Sequence, residues 1–183
     1  MGQRLNPFGV LQVVHLVRQD LSIAGKRAGL AGARSGLFME QVRIVKEMRE
    51  ADKRNGRTGD MVRPRYLVWE NVVGAFSSNK GKDFAAVLEE IARIAEITKI
   101  VEPQAPGIEV PEKGWPTWGG YHDEVGGRWS VVWRTHDAQH WGVPQRRRRI
   151  SVVADFGGDT ASEIQFDGES VSGDIAESGA SGE

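Results

Sequence analysis

Between two short runs of β-branched and aromatic residues lies one strongly amphipathic segment, and this arrangement restricts the chain to helices packed on a sheet. Phe84, Val87, Leu88, Ile91, Ala95 and Thr98 recur at intervals of three and four residues, which predicts a helix over about residues 84–98 with one apolar face. Residues 66–69 before it read as an apolar strand, as do residues 129–134 and 150–156 after it. An earlier run, residues 10–17, has the same character. Ser35 reads as the N-cap of another helix to about Arg49, with Phe38, Val42, Val45 and Met48 at helical spacing. The order strand, loop, helix, strand, helix, strand, strand predicts an α/β sheet that closes on an antiparallel pair, with residues 66–69 as a parallel-sheet strand ending at Glu70 and Asn71.

The segments between these elements are equally directional. Gly25, Gly29 and Gly32 make residues 19–34 a loop, and residues 72–83 form another. Pro103, Pro106, Pro111 and Pro116 exclude a helix from residues 102–127, which read as a Pro- and Gly-rich insertion. From Gly157 onward there are seven acidic residues and no Lys or Arg, with few large apolar groups, so residues 157–183 are expected to be a disordered acidic tail. That leaves residues 1–156 as the one folded domain, and 183 residues at 39% hydrophobic suffice for a single core.

Charge divides the same way. All 24 Lys and Arg precede Gly157 against 18 acidic residues there, a net of +6 that suits a polyanionic partner. The chain has no cysteine, which excludes disulfides and thiolate metal sites, and its four His form no metal-ligand pattern. No signal peptide and no run of 18 apolar residues is present, so a cytoplasmic protein with no membrane contact is expected.

Two places carry chemistry. The stretch Tyr66-Leu-Val-Trp-Glu-Asn-Val-Val-Gly-Ala-Phe76 ends a strand on Glu70 and Asn71. A carboxylate there caps a helix or pairs with an Arg as readily as it donates a proton from a dry cleft, and Asn71 beside it can hold the carboxyl or the loop. About seventy residues on, Gly142-Val-Pro-Gln-Arg-Arg-Arg-Arg149 runs into the strand that starts at Ile150. Four consecutive Arg are usually a solvated surface. On a strand, however, Arg147 and Arg149 would share one face and Arg146 and Arg148 the other, one pair meeting the Glu70 cleft and the other phosphate.

These two stretches resemble the Glu-Asn-Val and Gln-x-Arg-x-Arg motifs of the DNA cytosine-5 methyltransferases, particularly the phage and restriction-modification enzymes of bacteria. Gln19-Asp-Leu-Ser-Ile-Ala-Gly-Lys26 resembles the sequence that follows the family's catalytic Pro-Cys, and Arg34-Ser-Gly-Leu-Phe38 its next motif. The resemblance covers most of residues 18–156 in the family's order and implies part of a class I S-adenosylmethionine-dependent, Rossmann-like sheet. It also implies site residues. Glu70 matches the proton donor to cytosine N3 and Asn71 its structural neighbour, while Arg149 with Arg147 matches the contact to the base carbonyl and to that Glu. Leu37 matches a residue lining the S-adenosylmethionine pocket. Gln19, Ser22 and Lys26 match loop positions that close over DNA, and Gln145, Arg146 and Arg148 are the other expected contacts to double-stranded DNA.

The departures are as informative. Where the family has Pro-Cys, this chain has Val17 and Arg18, and residues 1–17 contain no Gly-rich turn to cradle the cofactor. A guanidinium stays protonated and is no nucleophile, so Arg18 cannot add to cytosine C6. The expectation is therefore a truncated family member that orients a flipped base without activating it. Two alternatives stay open: a DNA-binding subunit complemented by a second chain that carries the cysteine and cofactor half, and a prophage gene remnant.

Overall fold

The computed structural model describes residues 35–95, 107–122, 129–137, 139 and 146–166, and the expected strand at residues 10–17 lies outside them. Helix α1 is Ser35–Arg54, one turn longer than the sequence predicts. Phe38, Val42 and Val45 form its buried stripe, but Met48 is exposed and Arg49 takes the next inward position. The reason is geometric: eleven residues are three turns, so Arg49, not Met48, lies above Phe38. Its guanidinium has partners there, donating from Nη1 to Pro64 O at 2.7 Å and lying 5.0 Å over the Phe156 ring. The helix ends where Gly56 takes the left-handed conformation (φ 88°), with Gly56 N donating to Lys53 O and Arg57 N to Asp52 O.

Strand β1, Tyr66–Val72, follows, and two 3-10 turns lead to helix α2, Lys82–Ile94. Gly81 enters α2 with φ 87°, and a Cβ there would come within 2.7 Å of Val110, so this position needs glycine twice over. The apolar face of α2 is the predicted one: Phe84, Val87, Leu88 and Ile91 are fully buried. Thr98 lies outside the described residues. Phe84 is the hub, its ring 4.8 to 6.2 Å from those of Phe76, Trp115, Trp133 and Trp69.

Three more strands complete the sheet: β2 Trp118–His122, β3 Ser130–Asp137 and β4 Arg148–Asp155. Their order is β1-β4-β3-β2, and every pairing among them is antiparallel. The predicted β3–β4 pair is therefore present, whereas the reading of β1 as a strand of a parallel sheet is corrected. β1 and β3 do run in the same direction, but β4 lies between them and pairs with both, an order that hydrophobic periodicity does not encode. The sequence also misses β2 inside the Pro- and Gly-rich insertion. Gly119 crosses directly over the Trp133 indole, which leaves no room for a side chain, so the glycine that reads as a strand breaker is what lets this strand pair.

The expected tail starts too early. Residues 157–160 turn back and helix α3, Ala161–Phe166, packs on β3 and β4 from the side opposite α1 and α2. Asp155 organises this turn. Its buried carboxylate accepts from Arg65 Nε (2.8 Å) and Nη2 (2.9 Å), Gly157 N (2.9 Å) and the Thr160 hydroxyl (2.7 Å). Short-range composition gave no hint of this, because the charged partner, Arg65, comes from 90 residues away. Residues 167–183 lie outside the described residues.

Burial alone would raise the Asp155 pKa, but the bonds from Arg65, Thr160 and Gly157 outweigh it and hold the carboxyl below its ordinary 3.8. Arg65→Ala strands that carboxylate, and the expected loss is about 3 kcal/mol at neutral pH, read by urea unfolding. The folded pKa is the depressed one, so the contribution is present above about pH 4 and is lost as pH falls through the folded value. An Arg65→Ala protein whose deficit stays constant into acid would contradict this.

Candidate functional site

Alternation along β1 decides which side chains meet. Leu67 and Trp69 point into the core beneath α1 and α2, so Glu70 points to the opposite side, where α3 packs. In β4, Ile150, Val152 and Ala154 point to the core and Arg149, Ser151, Val153 and Asp155 away from it. The register sets Glu70 opposite Ser151 and Val72 opposite Arg149. Arg149 therefore reaches Glu70 on the diagonal, with Nε 3.5 Å from Oε1 and both side chains roughly a quarter to a third exposed. Two stretches almost eighty residues apart in sequence thus deliver a carboxylate and a guanidinium to one patch.

The other sequence-predicted residues fall in different places. Asn71 points to the core side and its Oδ1 accepts from Val72 N at 2.7 Å, so it fixes the end of β1 and not the Glu70 carboxyl. Arg146 and Arg147 precede β4, whose paired residues begin at Arg148. Arg147 is held by its backbone, its N–H donating to Asp137 Oδ1 at 3.2 Å, while the side chains of Arg146, Arg147 and Arg148 are exposed. Leu37 lies in the first turn of α1, and its side chain is outside the described residues, as are Arg18, Gln19, Ser22, Lys26 and Gln145.

Three residues that the sequence did not single out stand beside the pair. His136 Nε2 is 2.7 Å from Ser151 Oγ, and Gln165 of α3 donates to Ser151 Oγ at 2.7 Å. Burial lowers the His136 pKa, Arg134 lowers it further, and Glu70 opposes both. The available signal was a Ser and a His at outward positions of otherwise apolar strands.

Comparison with known proteins reaches the first of these segments. The profile of the family described as C-5 cytosine-specific DNA methylase matches residues 19–95. Over 174 residues, 86% of this chain, the sequence is 33% identical to the DNA N-6-adenine-methyltransferase of Escherichia phage P1. The chain is a member of the DNA methyltransferase family. It is also 26% identical over 136 residues to the Type II methyltransferase M2.BsuMI of Bacillus subtilis, and 26% identical over 142 residues to M.AquIA of Picosynechococcus, matches that cover 74% and 78% of this chain. It spans 21% of the phage methyltransferase, 24% of M2.BsuMI and 42% of M.AquIA. The profile match includes β1 with Glu70 but not β4 with Arg149.

The pair itself is partly exposed, so its contribution to folding is small. A double-mutant cycle with Glu70→Ala and Arg149→Ala is expected to give a coupling of about 0.5 kcal/mol in thermal or urea unfolding. A coupling of several kcal/mol would mean that the two residues serve the fold, not a ligand.

Proposed function

We propose that this chain supplies the base-orienting side of a DNA cytosine-5 methyltransferase and transfers no methyl group as it stands. The observation that carries the reading is the Glu70–Arg149 pair, formed from the two stretches whose sequence resembles the family's Glu-Asn-Val and Gln-x-Arg-x-Arg motifs. In that chemistry a thiolate adds to cytosine C6, C5 becomes nucleophilic, and charge building on the ring is relieved by a proton at N3. Glu70 would carry that proton while Arg149 holds the base carbonyl and keeps the carboxyl in place. The flipped base would enter from the α3 side of the β1 end, where both groups are accessible to solvent.

The nucleophile is the missing part. No cysteine occurs anywhere in the chain, and Arg18 stands at the position that matches it. S-adenosylmethionine, when bound, supplies the methyl group. The described residues do not make a site for it, since they include no Gly-rich strand-to-helix turn and the side chain of Leu37 is not among them. The role assigned to this chain is therefore confined to the base. The four-stranded sheet, with β1 and β3 running the same way, is compatible with one flank of a larger class I methyltransferase sheet.

Incubation with labelled S-adenosylmethionine and mixed-sequence duplex DNA, followed by nucleoside analysis, tests this. The expected result is no label above a Glu70→Ala control. Label in 5-methylcytosine would overturn the proposed inactivity. Label in N6-methyladenine would favour a second reading, to which only the name of the phage P1 relative points.

Double-stranded DNA is the proposed partner, and a complementing methyltransferase subunit would then bring the thiol. The basic character of residues 1–156 and the exposed Arg146–Arg148 side chains support weak binding with little sequence preference, with Kd on the order of 10⁻⁴ to 10⁻⁶ M at physiological salt. Affinity should fall steeply as salt rises, because phosphate contacts release counterions. A fluorescence titration of one duplex at several salt concentrations checks it, and a flat salt response would speak against phosphate contacts.

A further inference from the structure

Antiparallel register sets two rows of like-facing side chains across β1, β4 and β3: Glu70, Ser151 and Arg134 in one, and Val72, Arg149 and His136 in the next. The contacts run diagonally between the rows, from Arg149 to Glu70 and from His136 to Ser151. Gln165, only 8% exposed, comes from α3 onto the second diagonal, its Nε2 2.7 Å from Ser151 Oγ and 2.8 Å from His136 Nε2. An amide NH2 can only donate. With the NH2 turned to the ring, His136 Nε2 would act as the acceptor and the ring proton would sit on Nδ1.

We propose that Gln165 is a positioning residue that holds His136 as the neutral imidazole protonated on Nδ1, so that the ring adds no second positive charge beside the Glu70–Arg149 pair. The inference rests on the reading of that pair as the base-orienting site. The groups around the ring are Arg149 and Ser151 on β4, Arg134 on β3, Glu70 on β1 and Gln165 on α3, whose Glu163 is exposed. Burial and Arg134 favour the neutral ring, and Glu70 opposes them. Gln165 adds a directional term to that balance. Protonation of Nε2 would set an N–H against the amide hydrogens of Gln165 and place an imidazolium in register with Arg149, where it would compete for the Glu70 carboxylate.

The test is a pH titration of the full chain by NMR, following the His136 ring nitrogens and the Glu70 carboxyl carbon. In the native protein we expect the Nδ1–H tautomer at neutral pH and a His136 midpoint below the ordinary 6.5. Gln165→Glu replaces a donor by an accepting carboxylate of nearly the same shape, and should raise the midpoint by about one unit or more. The Glu70 resonance should show a second step that moves with His136 in both proteins. An Nε2–H tautomer in the native chain would overturn the proposal. So would an unmoved His136 midpoint in a Gln165→Glu protein that melts normally, or a Glu70 resonance indifferent to the His136 step. Should Gln165→Glu fail to fold, Gln165→Ala tests the same point, since loss of the donor should mix the two tautomers and retention of pure Nδ1–H would refute the role. DNA and methyl transfer play no part in these readouts, so failure of the methyltransferase reading would leave them intact, and their failure would leave that reading standing.

Discussion

The Asp155 carboxylate is the constraint on which the arrangement of the site depends. A buried, ionised carboxylate is tolerable only if it is paired and hydrogen-bonded. Asp155 meets that condition by drawing in Arg65 just before β1, the Gly157 N–H and the Thr160 hydroxyl. In doing so it locks the start of β1 to the end of β4 and turns the chain back on itself. α3 begins at the very next residue. Gln165 on α3 then reaches His136 and Ser151, and those two flank the Glu70–Arg149 pair. One satisfied charge at the far end of the sheet thus fixes the register that brings Glu70 and Arg149 together.

The two faces of the sheet divide the labour. One is a dry aromatic core in which Phe84 meets four rings, and it gives β1 and β4 a rigid backing. The other is polar and only partly covered, carrying Glu70, Ser151, Arg149, Arg134 and His136 in adjacent rows. Because side chains alternate along a strand, the same eight-residue strand β4 serves both faces, Ile150 and Val152 inward and Arg149 and Ser151 outward. A one-residue slip of β4 would exchange them and destroy core and site together. This is why a weak, partly exposed ion pair can be held in a defined place without contributing much to stability.

The family's reaction needs a nucleophile, a methyl donor and groups that hold the base. On the proposed reading, Glu70 and Arg149 would serve the third, and the chain has no cysteine for the first. In that proposal the pair would orient a base, and the chemistry would wait on a thiol that this chain does not carry.

Much of this was legible in the sequence. The α2 stripe of Phe84, Val87, Leu88 and Ile91, the α1 stripe through Val45, the approximate positions of β1, β3 and β4, and the approach of Arg149 to Glu70 followed from periodicity and motif, because each depends on residues a few positions apart or on a paired family signature. The absent thiol was read directly. Other features belonged to tertiary structure alone. Helical periodicity turns Arg49 inward, but only the fold supplies the two backbone carbonyls and the Phe156 ring that receive it. Gly119 became part of a strand because Trp133 filled the space of its side chain, and β4 separated β1 from β3 because strand order is a packing outcome with no local code. The acidic tail gave up its first residues to α3 for the same reason: composition counts charges, but only the fold supplied Asp155 with an Arg65 and Gln165 with a His136.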